Sequence, residues 1–222
     1  MIDINEIDID IEYTFSSGLG SIEEHRYIKN VISKIYTGGY FDNSNNELVG
    51  ITEFTILSLD KAKADHFDIL QIFDHTEYTY RLGNMFYDFK RADFKQEFYS
   101  FYDHDLMNEN ICFLERMCLK PGYRGHNIGS KIFKDLVTNF YSQASIFVIQ
   151  PYPLQFDQTS EDEGWNETYG LKMFPKNEQR SVDKLFDLYQ SWGFQKIPGI
   201  KDIMFFNAER KNVKFESISL EE

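Results

Sequence analysis

"LKPGYRGHNIGSKIF", residues 119–133, decides how this chain is read. Its first residues end an apolar run, "NICFLERMCLK" at 110–120, which reads as a strand bounded by Pro121. Its last residues open "NIGSKIFKDLVTNFY" at 127–141, where Ile128, Ile132, Phe133, Leu136, Val137 and Phe140 recur at the spacing of one helix face. A helix start exposes unpaired N–H groups and the positive end of the helix dipole, and glycines let a ligand approach the backbone closely. Such a turn suits a phosphate. Two phosphates in a row would use successive amides of residues 124–130, with Arg124 and Ser130 as extra donors. Taken alone, the spacing fits an ordinary strand-to-helix turn with a solvated arginine better than it fits a phosphate loop.

Working outward, "SIFVIQP" at 145–151 follows the helix as a second strand, so strand, turn, helix and strand form a βαβ unit with parallel strands. Upstream, "DINEIDIDIEYTF" at 3–15 alternates acidic residues and isoleucine with period two, as a half-buried strand requires. "HRYIKNVISKIY" at 25–36 tips toward strand on its Ile, Val and Tyr content. The polar residues Asp42 to Asn46 mark a hairpin turn before a strand over Leu48–Leu57, inside which Gly50 signals a bulge or a close backbone approach. Between Asp60 and Asp105 the rings of Phe73, Tyr80, Phe86, Phe89, Phe94, Phe98 and Phe101 fall mostly three, four or seven apart, the mark of two or three helices covering one sheet face. Residues 151–180 show no sustained period and read as a long functional loop or lid. "SVDKLFDLYQSWGF" at 181–194 reads as a helix with Ser181 as N-cap and Gly193 as terminal glycine, followed by a last strand, "DIMFFN" at 202–207. A charged, frayed tail is expected from Lys211 to residue 222.

The 222 residues suffice for one large domain, and 21 Phe with 14 Tyr promise a core built on rings. With 23 Lys and Arg against 36 Asp and Glu, the net charge of −13 disfavours nucleic acid and favours a cationic partner. Cys112 and Cys118 lie six residues apart, roughly 20 Å along one strand, too far for a disulfide, so free thiols are expected. His25, His66, His75, His104 and His126 are scattered, so no metal is expected. Without a signal peptide or a long apolar run, the expected setting is the cytoplasm, with no membrane contact.

The pattern Leu119-x-Pro121-x-Tyr123-Arg124-Gly125-x-x-Ile128-Gly129, placed between strand and helix, resembles the acetyl-CoA pyrophosphate loop of the GNAT-type N-acetyltransferases. Asn127 stands where that pattern has its first glycine, and Asn is the non-glycine residue most tolerant of positive φ. "LYQSWGF" at 188–194 looks like the final helix of the family, and "ELVGITEF" at 47–54 fits its second strand. Val182 replaces an Asn that many members carry there. The resemblance implies an α/β (α+β) fold with a mixed, mostly antiparallel central sheet flanked by helices, and a single domain over 1–222. Residues 60–109 would be a helical insertion before the CoA-binding strand.

What the resemblance further implies is acetyl-CoA as co-substrate and direct attack by an amine, on a small molecule or a protein, in a ternary complex. The strand Glu115–Leu119, with Met117, Cys118 and Leu119, would run beside the pantetheine arm, and an N–H near Leu119 would face the thioester oxygen. The loop Arg124, Gly125, His126, Asn127, Ile128, Gly129 and Ser130 would hold the diphosphate, and the second strand would splay away at Gln150. Tyr189 is the implied general acid for the departing thiolate. Glu115 is the candidate base, beside the alternatives of an ordinary strand carboxylate and of deprotonation through water. Asp103, His104 and Asp105 form another titratable cluster, more simply a solvated face. The acidic loop "TSEDEGW" at 159–165 fits a cationic acceptor such as a polyamine, an aminoglycoside or a lysine side chain. The competing reading is a non-catalytic protein of the same fold that binds acyl-CoA or a protein partner, and the departures at Asn127 and Val182 favour it. The acceptor, the acyl preference and the oligomeric state, a homodimer being one candidate, are not given by the sequence.

Overall fold

A computed structural model describes residues 8–15, 23–38, 46–102, 106–156 and 163–220. The stretch 3–7, the turn at 42–45, the cluster Asp103, His104 and Asp105, and residues 159–162 of the acidic loop lie outside the described residues. The elements in chain order are β1 (Ile9–Phe15), β2 (Ile28–Thr37), β3 (Glu47–Leu57), α1 (Leu59–Ala64), α2 (Ile69–Phe73), α3 (Glu77–Phe86), β4 (Tyr87–Asp88), β5 (Asp93–Phe94) and α4 (Gln96–Tyr102). They continue with β6 (Ile111–Leu119), α5 (Ile128–Phe140), β7 (Ile146–Ile149), α6 (Glu163–Thr168), α7 (Glu178–Ser191), β8 (Met204–Asn207) and α8 (Val213–Glu216). Six strands form one sheet in the order β1-β2-β3-β6-β7-β8, antiparallel throughout except where β6 meets β7, and β4 pairs with β5 in a small ribbon. The fold is α+β, with helices on both sheet faces.

Period-two alternation sorts the side chains into two cores. Leu57, Ile111, Phe113, Ile146, Val148 and Phe205 point to the face covered by α1–α4. There Phe94, Phe98 and Tyr102 stack at centroid spacings of 4.3 and 4.4 Å. Phe54, Ile56, Cys112, Leu114, Phe147 and Phe206 point to the opposite face, where α5 lays down Phe133, Leu136, Val137 and Phe140 and α7 adds Tyr189 and Trp192. Each such apolar side chain, fully buried, contributes roughly 1.5–3 kcal/mol.

Several expectations need correcting. Residues 60–102 form four short helices and a ribbon rather than two or three helices, because Asp68 and Thr76 cap new helix starts by accepting from the Leu70 and Thr79 amides. Within 151–180 a helix, α6, and short 3₁₀ turns at Leu154–Phe156 and Leu171–Met173 occupy what reads as loop. α7 starts earlier than expected: Asn177 is its N-cap, accepting from the Arg180 amide at 2.9 Å, while Ser181 is buried inside the helix and donates to Asn177 O. The tail is docked from Lys211 to Leu220. Phe215 packs against Phe206 at 4.8 Å, Asn212 donates to Gly193 O, and Lys134 donates to Ile218 O.

Two register shifts matter for the site. Opposite Ile35 and Tyr36, β3 carries an extra residue at Val49, next to Gly50. A Cβ on Gly50 would lie 2.6 Å from Leu119 Cδ2 and 2.8 Å from Cys118 O, so glycine is required there by close approach of β6. On β6 itself Glu53 pairs with Arg116 while Phe54 pairs with Leu114, leaving Glu115 as a bulge. A bulge leaves its extra residue out of the ladder and re-aims side chains.

Candidate active site

The β6–β7 ladder ends at Leu114 and Ile149, so the strands part where Glu115 and Gln150 begin. A cavity of about 480 Å3 opens from that fork. One wall is β6 from Leu114 to Leu119, and the opposite wall is α7 with Leu185, Leu188, Tyr189 and Trp192. Its mouth is the head of α5, with Arg124, Gly125 and Asn127 through Ser130. The structure therefore gathers the sequence-derived residues Glu115, Met117, Cys118, Leu119, Gln150 and Tyr189 at one cleft. His126 is exposed beside the loop and does not line the cavity.

The loop is held by its flanks. Lys120 and Tyr123 donate to Glu47 at 2.8 and 2.9 Å, pinning the 3₁₀ turn Pro121–Tyr123 to the start of β3. Gly125 has φ +81° and Asn127 φ +58°, so Asn127 does adopt the left-handed conformation that a glycine would otherwise supply. Among the described residues, the six consecutive amides Gly125 to Ser130 have no backbone acceptor, and the first helical bond in register is from the Lys131 amide to Asn127 O. These donors lie at the positive end of a 13-residue helix. Gly129 is fixed by packing, since a Cβ there would lie 3.1 Å from the Trp192 ring.

The two expected side-chain donors are committed elsewhere. Ser130 Oγ turns back to donate to Asn127 O at 2.6 Å. Arg124 Nε donates to Leu119 O at 2.8 Å, its terminal nitrogen donates to Tyr169 O, and its guanidinium lies 4.1 Å over the Phe174 ring. Arg124 thus straps the 169–174 segment to the loop, and Leu171, Phe174 and Pro175 become part of the cavity wall. Cys118 and Cys112 form no disulfide and are buried on opposite sheet faces, Cys118 beside Tyr169 and Leu171. The Lys120 amide donates to Val49 O, and Glu115 is the residue left out of the β3–β6 ladder.

At the inner end, Tyr189 is buried, and burial with Cys118 nearby pushes its phenol well above the ordinary range. Glu115 is half-buried. Burial and the neighbouring Glu53 raise its carboxyl above the usual range, while a Thr55 hydrogen bond and Arg116 pull the other way. Such an environment makes the carboxylate a stronger base, and it keeps the phenol protonated while making it a weaker acid.

Sequence reasoning missed three residues here. Thr55 on β3 contacts Glu115 Oε1 at 2.5 Å. Tyr78 on α3 donates to Leu114 O at 3.2 Å with the Gln150 amide facing its oxygen, and Arg81 donates to Gln150 Oε1 at 2.8 Å. Tyr78 and Arg81 roof the fork from the helical insertion. Their i, i+3 spacing puts them on one helix face, the only local signal they carry.

Among the described residues, no three His, Cys, Asp or Glu side chains cluster in a way that could hold a metal ion, and no helix is long and apolar enough to cross a membrane. No protein-family model and no curated protein matches this chain. Among solved structures, "The crystal structure of KacTA-DNA complex" is similar over 91% of this chain and 94% of that one, at 9% identity and a TM-score of 0.42.

Proposed function

We propose that this chain is an acetyl-CoA-dependent N-acyltransferase of the GNAT type, acting on an amine in a ternary complex. The observation that carries the reading is the row of backbone donors at Gly125–Ser130, opening onto a cleft whose far end holds a phenol and a bulged carboxyl. A diphosphate at the α5 head would leave the pantetheine arm to run along Met117 to Leu119, where it can pair as an added strand. The thioester would then reach the fork between Leu114 and Ile149. There Glu115 takes the proton of the incoming ammonium, the neutral amine attacks the carbonyl, Tyr189 protonates the departing thiolate, and the proton shed by the newly acylated nitrogen restores the phenol. The raised proton affinity of Glu115 suits the base role, and the role of Tyr189 rests on its place at the inner end of the cleft. The acidic surface, −13 overall, supports a cationic acceptor drawn to Glu115 and Glu53.

A second reading, acyl-CoA binding without turnover, is favoured by one observation: Arg124 is bound to Leu119 O and Tyr169 O instead of facing the loop. A calorimetric titration with acetyl-CoA followed by a thiol-release assay over a panel of amines tests both. Binding with amine-dependent thiol release supports the transferase, binding without release supports the second reading, and no binding removes both.

A further inference from the structure

Glu115 is the end of a chain of hydrogen bonds crossing three strands to the surface. Thr55 Oγ1 lies 2.5 Å from Glu115 Oε1 and 2.9 Å from Asn30 Oδ1, and Asn30 Nδ2 lies 3.0 Å from His75 Nε2. Asn30 and Thr55 are direct cross-strand partners on β2 and β3, and His75 sits in the turn before α3.

Donor counting gives this chain two self-consistent directions. Thr55 has one hydroxyl hydrogen and Asn30 has one acceptor oxygen and one amino group. With His75 neutral and its proton on Nδ1, its Nε2 accepts from Asn30 Nδ2, Asn30 Oδ1 takes the Thr55 hydrogen, and Thr55 offers Glu115 only lone pairs. The 2.5 Å contact then closes with the proton on Glu115. With His75 charged, Nε2 becomes a donor, the Asn30 amide turns over, and the Thr55 hydrogen is released to the Glu115 carboxylate.

We propose that Asn30 and Thr55 are positioning residues that couple the protonation state of His75 to the proton affinity of Glu115, neutral His75 favouring the protonated carboxyl. This rests on the reading of Glu115 as the base of an amine acyltransferase. Asn30 Nδ2 faces His75 and Asn30 Oδ1 faces Thr55, while Thr55 Oγ1 stands in donor reach of both Asn30 Oδ1 and Glu115 Oε1 with one hydrogen to share. Burial and the adjoining His25, whose ring centroid is 5.7 Å away, lower the proton affinity of His75, opposed by Glu24. The other groups facing Glu115 are Glu53, Arg116, Tyr78 and Cys112.

The test is a carbon-13 carboxyl titration of the full chain, with the Glu115 signal assigned by its loss in Glu115→Gln. His75→Phe removes the acceptor and lets the Asn30 amide turn over, so the Glu115 midpoint should fall by about one pH unit, the worth of a charge-assisted hydrogen bond. His75→Gln restores an acceptor oxygen and should return the midpoint to the wild-type value. In a Thr55→Val background, His75→Phe should have no effect. Loss of a through-space charge would instead raise the midpoint. A midpoint that is unchanged or rises in His75→Phe, or that falls equally in both backgrounds, overturns the coupling. The titration needs no substrate: if wild type fails to bind acetyl-CoA, the transferase reading falls while the coupling is still decided. If wild type turns over, the acidic limb of its pH–rate profile should move with the midpoint.

Discussion

Replacing Gly125 by glutamate separates the anion-binding role proposed for the loop from its folding role. A Cβ on Gly125 would meet nothing within 4 Å, so the added side chain costs no packing. It does cost strain at φ +81°, about 1–2 kcal/mol for a non-glycine residue in the left-handed region. The separation between a carboxylate there and a diphosphate held by the neighbouring amides is taken as about 5 Å, close ion-pair range. At effective dielectric constants between about 20 and 80, one such charge pair repels by about 1–3 kcal/mol. Acetyl-CoA affinity should therefore fall about 5- to 150-fold. Gly125→Ala carries the same strain without the charge and should bind nearly as wild type. Gly122→Glu carries the charge in equally open space ahead of the α5 head and should also lose little. Calorimetry gives the affinities and thermal melting gives the shared strain. An affinity for Gly125→Glu within twofold of wild type, in a protein melting like Gly125→Ala, would refute the reasoning.

The remaining predictions concern the same cleft. Tyr189→Phe should lower turnover about 100-fold, the low end for loss of a general acid, with acetyl-CoA affinity changed less than twofold; the thiol-release assay and calorimetry read the two effects separately. Gly129→Ala places a methyl 3.1 Å from the Trp192 ring and should cost about 1–3 kcal/mol in chemical denaturation. Glu115→Gln should change the pH dependence of stability. Because burial raises the Glu115 carboxyl in the folded state, that state binds more protons than the unfolded one between the unfolded and folded values, so stability falls as pH rises through this window. The Gln variant should lose that slope, giving a protein at least as stable as wild type at neutral pH and no relative gain in acid, as denaturation at both pH values would show.

The βαβ unit around the loop was legible because α5 keeps strict helical spacing and Pro121 cuts the strand before it. Gly50 was legible as a close approach, since glycine inside a β-branched run has few other uses. The bulge at Glu115 was not, although its trace is visible afterwards: two charged residues interrupt the alternation between Leu114 and Met117, and the face of every later β6 residue changes. Tyr78, Arg81 and Thr55 reach the fork across long sequence separations, which no local periodicity encodes. The contacts of Arg124 were hidden for a related reason, because its partners Tyr169 and Phe174 lie in a segment whose path the sequence did not reveal. α7 began early because Asn177 outcompeted Ser181 for the cap, a contest between two competent residues that only the path of the preceding chain settles.

The central claim is that backbone amides at the start of α5 grip the anionic middle of an acyl carrier. Nitrogen-15 amide spectra recorded during titration with CoA, and separately with pantetheine, which lacks the diphosphate, test it most directly. The account predicts downfield proton shifts concentrated at Gly125 to Ser130 with CoA and little change at those residues with pantetheine. Binding of CoA that leaves these six signals in place and perturbs another region would contradict it.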